Sequence, residues 1–432
     1  MPMRLGARRL IGTLLLGGTL SAACADTIAR SPAPAPSATA REGTDAVPAT
    51  SDGDRDTPAS GALVAVAASA NADATKSGGD AAVLAFAGDV IAHDALREAA
   101  GTMNRQNDLG QTLNASGYGA IFDAARPTLA RADLAFANLE SPVTAHQQRQ
   151  GSMVFRGEEA LLEALGGAGF HVVSVANNHA YDQGARGLRD TLAAVGRHGL
   201  LAVGAGPTMR EACAPALLDV RGIKIALLAR TLYMNVSEGG PPAVCRLALG
   251  PLTRDVRAAR AAGAHLVITS LHWGNEYETA PRREQVDYAR ALVERGVDLV
   301  IGHHPHVLQR VERIATKEGE GVVAYSLGNL VSNQGYAFDP VSSPESAGDT
   351  RDGAILLVRI ERPRDGQRRA RVSEATAVPF WTAHEGPAIV LRPATTRRPR
   401  IQDRLGIPLV DPPTSPPPTR AREDVLAGGS TR

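Results

Sequence analysis

Only three cysteines occur in the 432 residues, Cys24, Cys213 and Cys245, too few for a disulfide framework. Neither sign of charge is in excess: 46 basic residues face 45 acidic ones, so composition supplies no basic surface for nucleic acid and none for a charged membrane. The longest apolar stretch, residues 10–20, falls short of the roughly 20 residues that cross a bilayer. Between residues 26 and 80 there is hardly a large apolar side chain, and most residues are Ala, Pro, Ser, Thr, Asp and Gly. A segment of that kind cannot offset its ordering entropy by burial and reads as a disordered linker. Internal repeats are absent, and so is low-complexity sequence outside the two ends.

What is there begins with a processing signal over residues 1–25. Arg4, Arg8 and Arg9 precede the apolar stretch, and Ala23-x-Ala25 fits ordinary signal-peptide cleavage. A second reading stays open, because Leu20-Ser21-Ala22-Ala23-Cys24 resembles a lipobox in which Cys24 would be lipidated and would anchor the chain to a membrane. Either reading implies export to the periplasm or cell envelope. Cys213 and Cys245 are then an even pair in an oxidising compartment, either a disulfide or two small core residues.

From residue 81 to 386 the pattern is that of one folded domain. Apolar, strand-like runs at 82–87, 133–137, 171–176, 200–203, 223–229, 265–270, 297–301, 322–326 and 354–360 alternate with amphipathic stretches at 118–131, 158–168, 185–197, 253–262 and 282–295. In the last group apolar residues recur at three- and four-residue steps, as in Leu188, Leu192 and Val195. This alternation predicts a layered α/β fold with helices packed on sheet. Residues 387–432 are rich in Arg and Pro and read as a largely disordered tail.

Polar clusters follow the strand-like runs, and a strand end is a rigid mount for ligands. The first is Gly88-Asp89-Val90-Ile91-Ala92-His93, where Asp89 is either a hard metal ligand or a turn and capping residue. Next comes Asn138-Leu139-Glu140-Ser141-Pro142, whose carboxylate has two oxygens and could bridge two cations. In Asn177-Asn178-His179-Ala180-Tyr181-Asp182, the amides could ligate a metal, and His179 could be a proton donor oriented by Asp182. His272-Trp273-Gly274-Asn275-Glu276-Tyr277 places a further imidazole beside aromatics. Last, the run Leu299-Val300-Ile301 stops at Gly302 and opens into His303-His304-Pro305-His306. Imidazoles suit zinc, iron and similar ions.

In this order GDVIAH, NLESP, VANNHAYDQG, LHWGNEY, VIGHHPHVLQ and AYSLGN, spread over residues 81–333, resemble the CapA proteins of capsule and poly-γ-glutamate synthesis. Those proteins are similar in fold to the calcineurin-like metallophosphoesterases, a central β-sandwich flanked by helices. The resemblance implies one or two divalent ions (Zn, Mn or Fe) held by Asp89, Glu140, Asn178, His272, His304 and His306. His179 and Asp182 would be catalytic, and His93, His303 and Asn177 would be further ligands or supports of the ligands. Trp273, Glu276, Tyr277 and Asn329 would contact substrate. Two ions would clamp the attacking and departing oxygens. The sequence departs from the phosphoesterase pattern at Ile91, where a histidine is usual, and at Glu140, where Asp is usual. An intact ligand set favours a hydrolase or transferase; the altered first motif favours a polymer-binding partner of membrane capsule synthases.

Overall fold

The computed structural model describes residues 79–107, 117–236, 240–317, 319–363 and 369–413. The export signal with Cys24, most of the linker and the end of the tail lie outside them.

In chain order the strands are β1 (Gly79–Val90), β2 (Leu134–Leu139), β3 (Val172–Ser174), β4 (Leu201–Val203), β5 (Ala205–Gly206), β6 (Ala216–Val220), β7 (Ile223–Thr231) and β8 (Ala243–Val244). They continue with β9 (Leu266–His272), β10 (Leu299–His303), β11 (Val311–Thr316), β12 (Gly319–Ala324), β13 (Asn329–Val331), β14 (Asp352–Pro363), β15 (Arg371–Glu385) and β16 (Ala388–Pro393). The helices are α1 (Asp94–Asn107), α2 (Gly117–Ile121), α3 (Arg126–Leu129), α4 (Glu159–Ala168), α5 (Gly184–Arg197), α6 (Met209–Cys213), α7 (Leu249–Ala261), α8 (Arg283–Glu294) and α9 (Arg398–Leu405).

Two sheets form the layers. One runs β16-β15-β14-β1-β2-β3-β4, with β13 also paired to β1; the other runs β11-β12-β10-β9-β7-β6. Strand alternation divides the second sheet's side chains between two cores. Ile225, Leu227, Ile268 and Ile301 join the main core with Phe86, Phe136 and Val173 of the first sheet. Their neighbours Ala226, Leu228, Val267 and Val300 pack instead with Leu252 and Val256 of α7 and Leu292 of α8. The expected helix-flanked sandwich is therefore present. Parallel pairing runs through β1-β2-β3-β4 and through β7-β9-β10-β12, so these strands deliver their C-terminal ends to the same side of each sheet. The helices end as expected: Gly169, Gly199, Gly263 and Gly296 all have positive φ just past a helix.

Two expectations are corrected. The amphipathic stretch 118–131 is not one helix but α2 and α3, because Pro127 opens a new helical turn and cannot continue the old one. Residues 387–413 are not a loose tail. β16 pairs with β15, and Leu391, Ile401 and Leu405 are buried. The arginines of this segment pair with carboxylates: Arg397 bonds Asp352 at 2.7 Å and Asp349 at 3.1 Å, and Arg400 and Arg404 also hold Asp349. Of the open readings for the cysteines, the disulfide is the one formed, joining Cys213 at the end of α6 to Cys245 just after β8.

Candidate metal centre

β1 carries Asp89 one residue before its end. There β2 pairs on one side, with Asn138 opposite Asp89, and β13 on the other, with Asn329 opposite it. The crossing is tight enough that a Cβ at Gly88 would overlap the carbonyl oxygen of Gly328. Glu140 lies one residue past β2, and its N–H donates to Val90 O at 3.0 Å. Asn177, Asn178 and His179 follow β3. From the second sheet come His272, the last residue of β9, and the His303–His306 turn after β10. In that turn His304 and His306 both have positive φ, 97° and 59°. Such a conformation costs a non-glycine residue of order 1–3 kcal/mol, and strain of this kind concentrates at functional sites.

The side chains converge. Ligand atoms of Glu140, His304 and His306 lie within 4.8 Å of one another, and so do those of Asp89, Glu140 and His272. Glu140 belongs to both groups, the place of a bridging carboxylate. Asn178 Oδ1 is 2.8 Å from His272 Nε2, which in turn is 3.6 Å from Glu140 Oε1. His306 Nδ1 stands 3.2 Å from Asp89 Oδ2, and the His304 N–H donates to that oxygen at 3.3 Å. The His272 and His304 rings are 4.7 Å apart at their centroids, close enough to share one ion. All six residues are buried, yet Glu140 Oε1 and His304 Nδ1 have no hydrogen-bond partner. Buried polar atoms are rarely left so. Unpartnered oxygen and nitrogen lone pairs facing one another are the donor set that a divalent cation satisfies.

Electrostatics agree. Burial first, then the neighbouring His304, hold the His272 pKa well below its usual value. Burial and His306 push His304 down to about 3. Both imidazoles are thus neutral at physiological pH, the form that ligates metal. Burial also pushes the Asp89 carboxyl up, but hydrogen bonds and charge from His303 and His306 outweigh it and hold Asp89 well below the usual range. Glu140 goes the other way, raised well above its usual value by burial and then by the Asp89 charge. The cluster accommodates one negative charge easily and a second only with a cation beside it.

His179 sits next to the ligand atoms, outside both groups. Its Nδ1 is 2.8 Å from Asp182 Oδ2, which also accepts the Phe155 N–H at 2.7 Å. Nδ1 therefore carries the proton in that bond, and Nε2 faces Asn235 Nδ2 at 3.4 Å. Of the other candidates, Asn177 is a buttress, donating to Asn138 Oδ1 and Leu139 O. His303 is buried behind Asp89, with Nδ1 3.2 Å from Oδ1 and its ring on Phe136. His93 is at the rim, accepting the Asn333 N–H and meeting Phe155 edge-on. Asn329 lies beneath the ligands rather than above them, its Oδ1 3.1 Å from His306 Nδ1. Glu276 and the half-exposed Tyr277 border the opening, Tyr277 with its ring 6.2 Å from His306.

Trp273 is a correction: it does not face a substrate. Its Nε1–H donates to Tyr325 O, its ring stacks on Tyr325, and it belongs to the core beneath α7 and α8. The reason is strand alternation, which turns Trp273 to the opposite face from His272.

Sequence reasoning missed three residues. Asn138 Nδ2 donates to Asp89 Oδ1 at 2.9 Å and to Glu140 Oε2 at 3.3 Å, tying the two carboxylates together. The signal was its place in the same motif as Glu140. Tyr233 stacks on His304 at 4.8 Å, and Asn235 accepts from Asn178 Nδ2. Both follow the apolar run of β7, as the recognised clusters follow theirs.

A family model described as bacterial capsule synthesis protein PGA_cap matches residues 83–334. The capsule biosynthesis protein CapA of Bacillus anthracis is 31% identical over 237 residues, 52% of this chain and 57% of that protein. The PGA biosynthesis protein CapA of Bacillus subtilis is 31% identical over 276 residues, 61% of this chain and 68% of that protein. The chain thus spans less than two thirds of the first of these relatives. Among solved structures, the NAD nucleotidase of Haemophilus influenzae aligns over 77% of this chain and 58% of its own, with a TM-score of 0.41 and 14% identity. A calcineurin-like phosphoesterase from Bacillus subtilis aligns over 76% and 98%, with a TM-score of 0.37 and 12% identity. Every residue of the convergent site, from Asp89 to Asn329, falls inside the matched segment, and the chain belongs to the bacterial capsule synthesis protein family that this model describes.

Proposed function

We propose that this chain is an exported, divalent-metal-dependent hydrolase or transferase that acts in the synthesis or processing of capsule or poly-γ-glutamate, working beside membrane capsule synthases. The observation that carries the reading is the buried convergence on Glu140, whose Oε1 has no partner and which is common to both ligand groups. Asp89, Glu140, Asn178, His272, His304 and His306 would hold one or two ions, with Zn, Mn and Fe all compatible with mixed nitrogen and oxygen ligands. Such an ion polarises the bond under attack and stabilises developing negative charge. Asn138 keeps the two carboxylates in register, and Asp182 fixes the His179 ring through Nδ1. With a proton on both ring nitrogens, His179 would deliver the one on Nε2 to the departing group. Phe155 and Tyr233 lie with tilted rings against His179 and His304, 4.2 and 4.8 Å away at the centroids, and cover those sides of the site.

The test is metal analysis of purified protein, followed by hydrolysis of an aryl phosphodiester and of poly-γ-glutamate with and without chelator. A protein that takes up no divalent ion would overturn the reading. One observation favours a second reading, a non-catalytic polymer-binding partner. Ile91, fully buried, leaves the first motif without a histidine at that position. Metal uptake with no chelator-sensitive turnover on either substrate would select it.

A further inference from the structure

Asn235 follows β7 of the second sheet, yet its polar contacts among the described residues all go to two consecutive residues that follow β3 of the first. Its N–H donates to Asn178 O at 3.0 Å, its Oδ1 accepts from Asn178 Nδ2 at 3.2 Å, and its Nδ2 lies 3.4 Å from His179 Nε2. The chain that carries it out of β7 is fixed as well. The Leu232 N–H donates to His272 O at 2.9 Å, and Thr231 Oγ1 donates to Tyr233 O at 2.8 Å.

The two ends of a primary amide are nearly alike in shape and opposite in polarity, and only the oxygen has a lone pair to give a cation. Whether Asn178 can ligate therefore depends on which end faces His272. The direction is set from Asp182. A carboxylate only accepts, so the proton of the 2.8 Å bond sits on His179 Nδ1. In the neutral ring Nε2 is then an acceptor, and the end of Asn235 that suits it is Nδ2. This turns Asn235 Oδ1 toward Asn178, which meets it with Nδ2, and Asn178 Oδ1 is left facing His272 Nε2 at 2.8 Å. That last contact joins two atoms that would both ligate. With a cation between them, Asn235 is the group among the described residues that keeps the amide the right way round.

We infer that Asn235 is a positioning residue of the metal centre, passing the polarity fixed at Asp182 on to Asn178 so that oxygen rather than nitrogen is offered to the ion. The inference rests on the proposed function for Asn178 as a ligand, and on the chain of hydrogen bonds for the rest.

The test is the affinity of the full-length protein for zinc and for manganese, measured by competition with a chromophoric chelator. Asn235→Ala should weaken one metal site about tenfold, the lower end of what removing a ligand's orienting partner costs. Asn235 is exposed, so the substitution leaves the core intact, and an unchanged melting curve in excess chelator checks this. Should the alanine variant not fold, Asn235→Ser, whose hydroxyl is too short to reach Asn178 Nδ2, carries the same test. The deciding comparison is made in an Asn178→Asp background. A carboxylate offers oxygen at both ends and needs no orienting, so there Asn235→Ala should cost no metal affinity. Undiminished affinity on Asn235→Ala in the parent overturns the inference. So does an equal loss in both backgrounds, which would mark a residue that merely holds the chain in place. Either result with a metal-binding parent sinks this inference alone; a parent that binds neither ion sinks the proposed function and this inference with it.

Discussion

Replacing both Cys213 and Cys245 by Ser removes a crosslink that spans 32 positions of sequence. In the chain-entropy model a closed loop of that length contributes about 4 kcal/mol at 25 °C. At about 2.1 cal/mol/K of unfolding entropy per residue, the loss lowers the melting midpoint of the folded part by about 6 °C. The position of the bridge adds a local effect. Cys245 O accepts the Thr231 N–H at 3.0 Å, Cys213 O accepts from Arg230 Nη2 at 2.7 Å, and the chain then runs on to Tyr233 and Asn235 at the metal centre. Amides of residues 231–235 should therefore exchange hydrogen faster in the variant than those of β10, which pairs with β9 and β12 and not with β7. Denaturant melts of the variant and of the oxidised parent, with exchange followed by mass spectrometry, measure both effects. A destabilisation below about 1 kcal/mol, or two alkylatable thiols in unreduced, denatured parent protein, would refute the reasoning.

Four further outcomes are expected. His304→Ala or His306→Ala should strip bound metal, measured by elemental analysis. His179→Ala should leave the metal in place and slow any hydrolysis by about 10²–10⁴-fold, the usual loss of a general acid. Glu140→Gln should abolish metal uptake yet stabilise the metal-free protein at neutral pH. The folded-state pKa of Glu140 is raised by burial and by Asp89, so its contribution is fully present below the unfolded pKa and is lost as pH rises through the folded one. Melts in chelator from acid to neutral pH should show that fall in the parent and a smaller one in the variant; parallel curves would contradict it. Truncation after residue 386 should unfold the domain, seen as loss of the cooperative melting curve, since it deletes the buried Leu391, Ile401 and Leu405.

The candidate site was legible because each polar cluster stands at the end of an apolar run, and a strand end is a position that sequence marks twice, by the run and by its interruption. The runs mark the clusters that contain Asp89, Glu140, Asn178, His272, His304 and His306, and the family resemblance singles those residues out within them. What could not be read was side-chain direction. Trp273 looked like a site residue from its neighbours and turned out to point away, a matter of strand alternation across one residue. Asn329 lies in a motif like the others but supports His306 from below. The folded end of the chain was hidden for a different reason. Arg397, Arg400 and Arg404 are part of what reads as a disordered, Arg- and Pro-rich tail until Asp349 and Asp352, about 50 positions earlier in sequence, are brought beside them. Ion pairing over that separation leaves no local pattern.

Asp89 and Glu140 also show why the site is built from two sheets rather than one. Both carboxylates come from neighbouring parallel strands, and Asn138 between them donates to each. A single sheet would thus bury two like charges side by side, with burial and mutual repulsion driving one of them to take a proton. The second sheet relieves this at Asp89, where hydrogen bonds and charge from His303 and His306 hold the carboxyl down. At Glu140 it brings no formal positive charge, because burial keeps His272 and His304 neutral. It brings lone pairs instead. The charge balance is left for a cation to complete, and the nitrogens that would ligate it are held on β9 and on the strained turn after β10. The same neutral histidines that make the metal-free cluster electrostatically costly make it a ligand set, so the cost in stability at Glu140 and the capacity to bind metal have one structural origin.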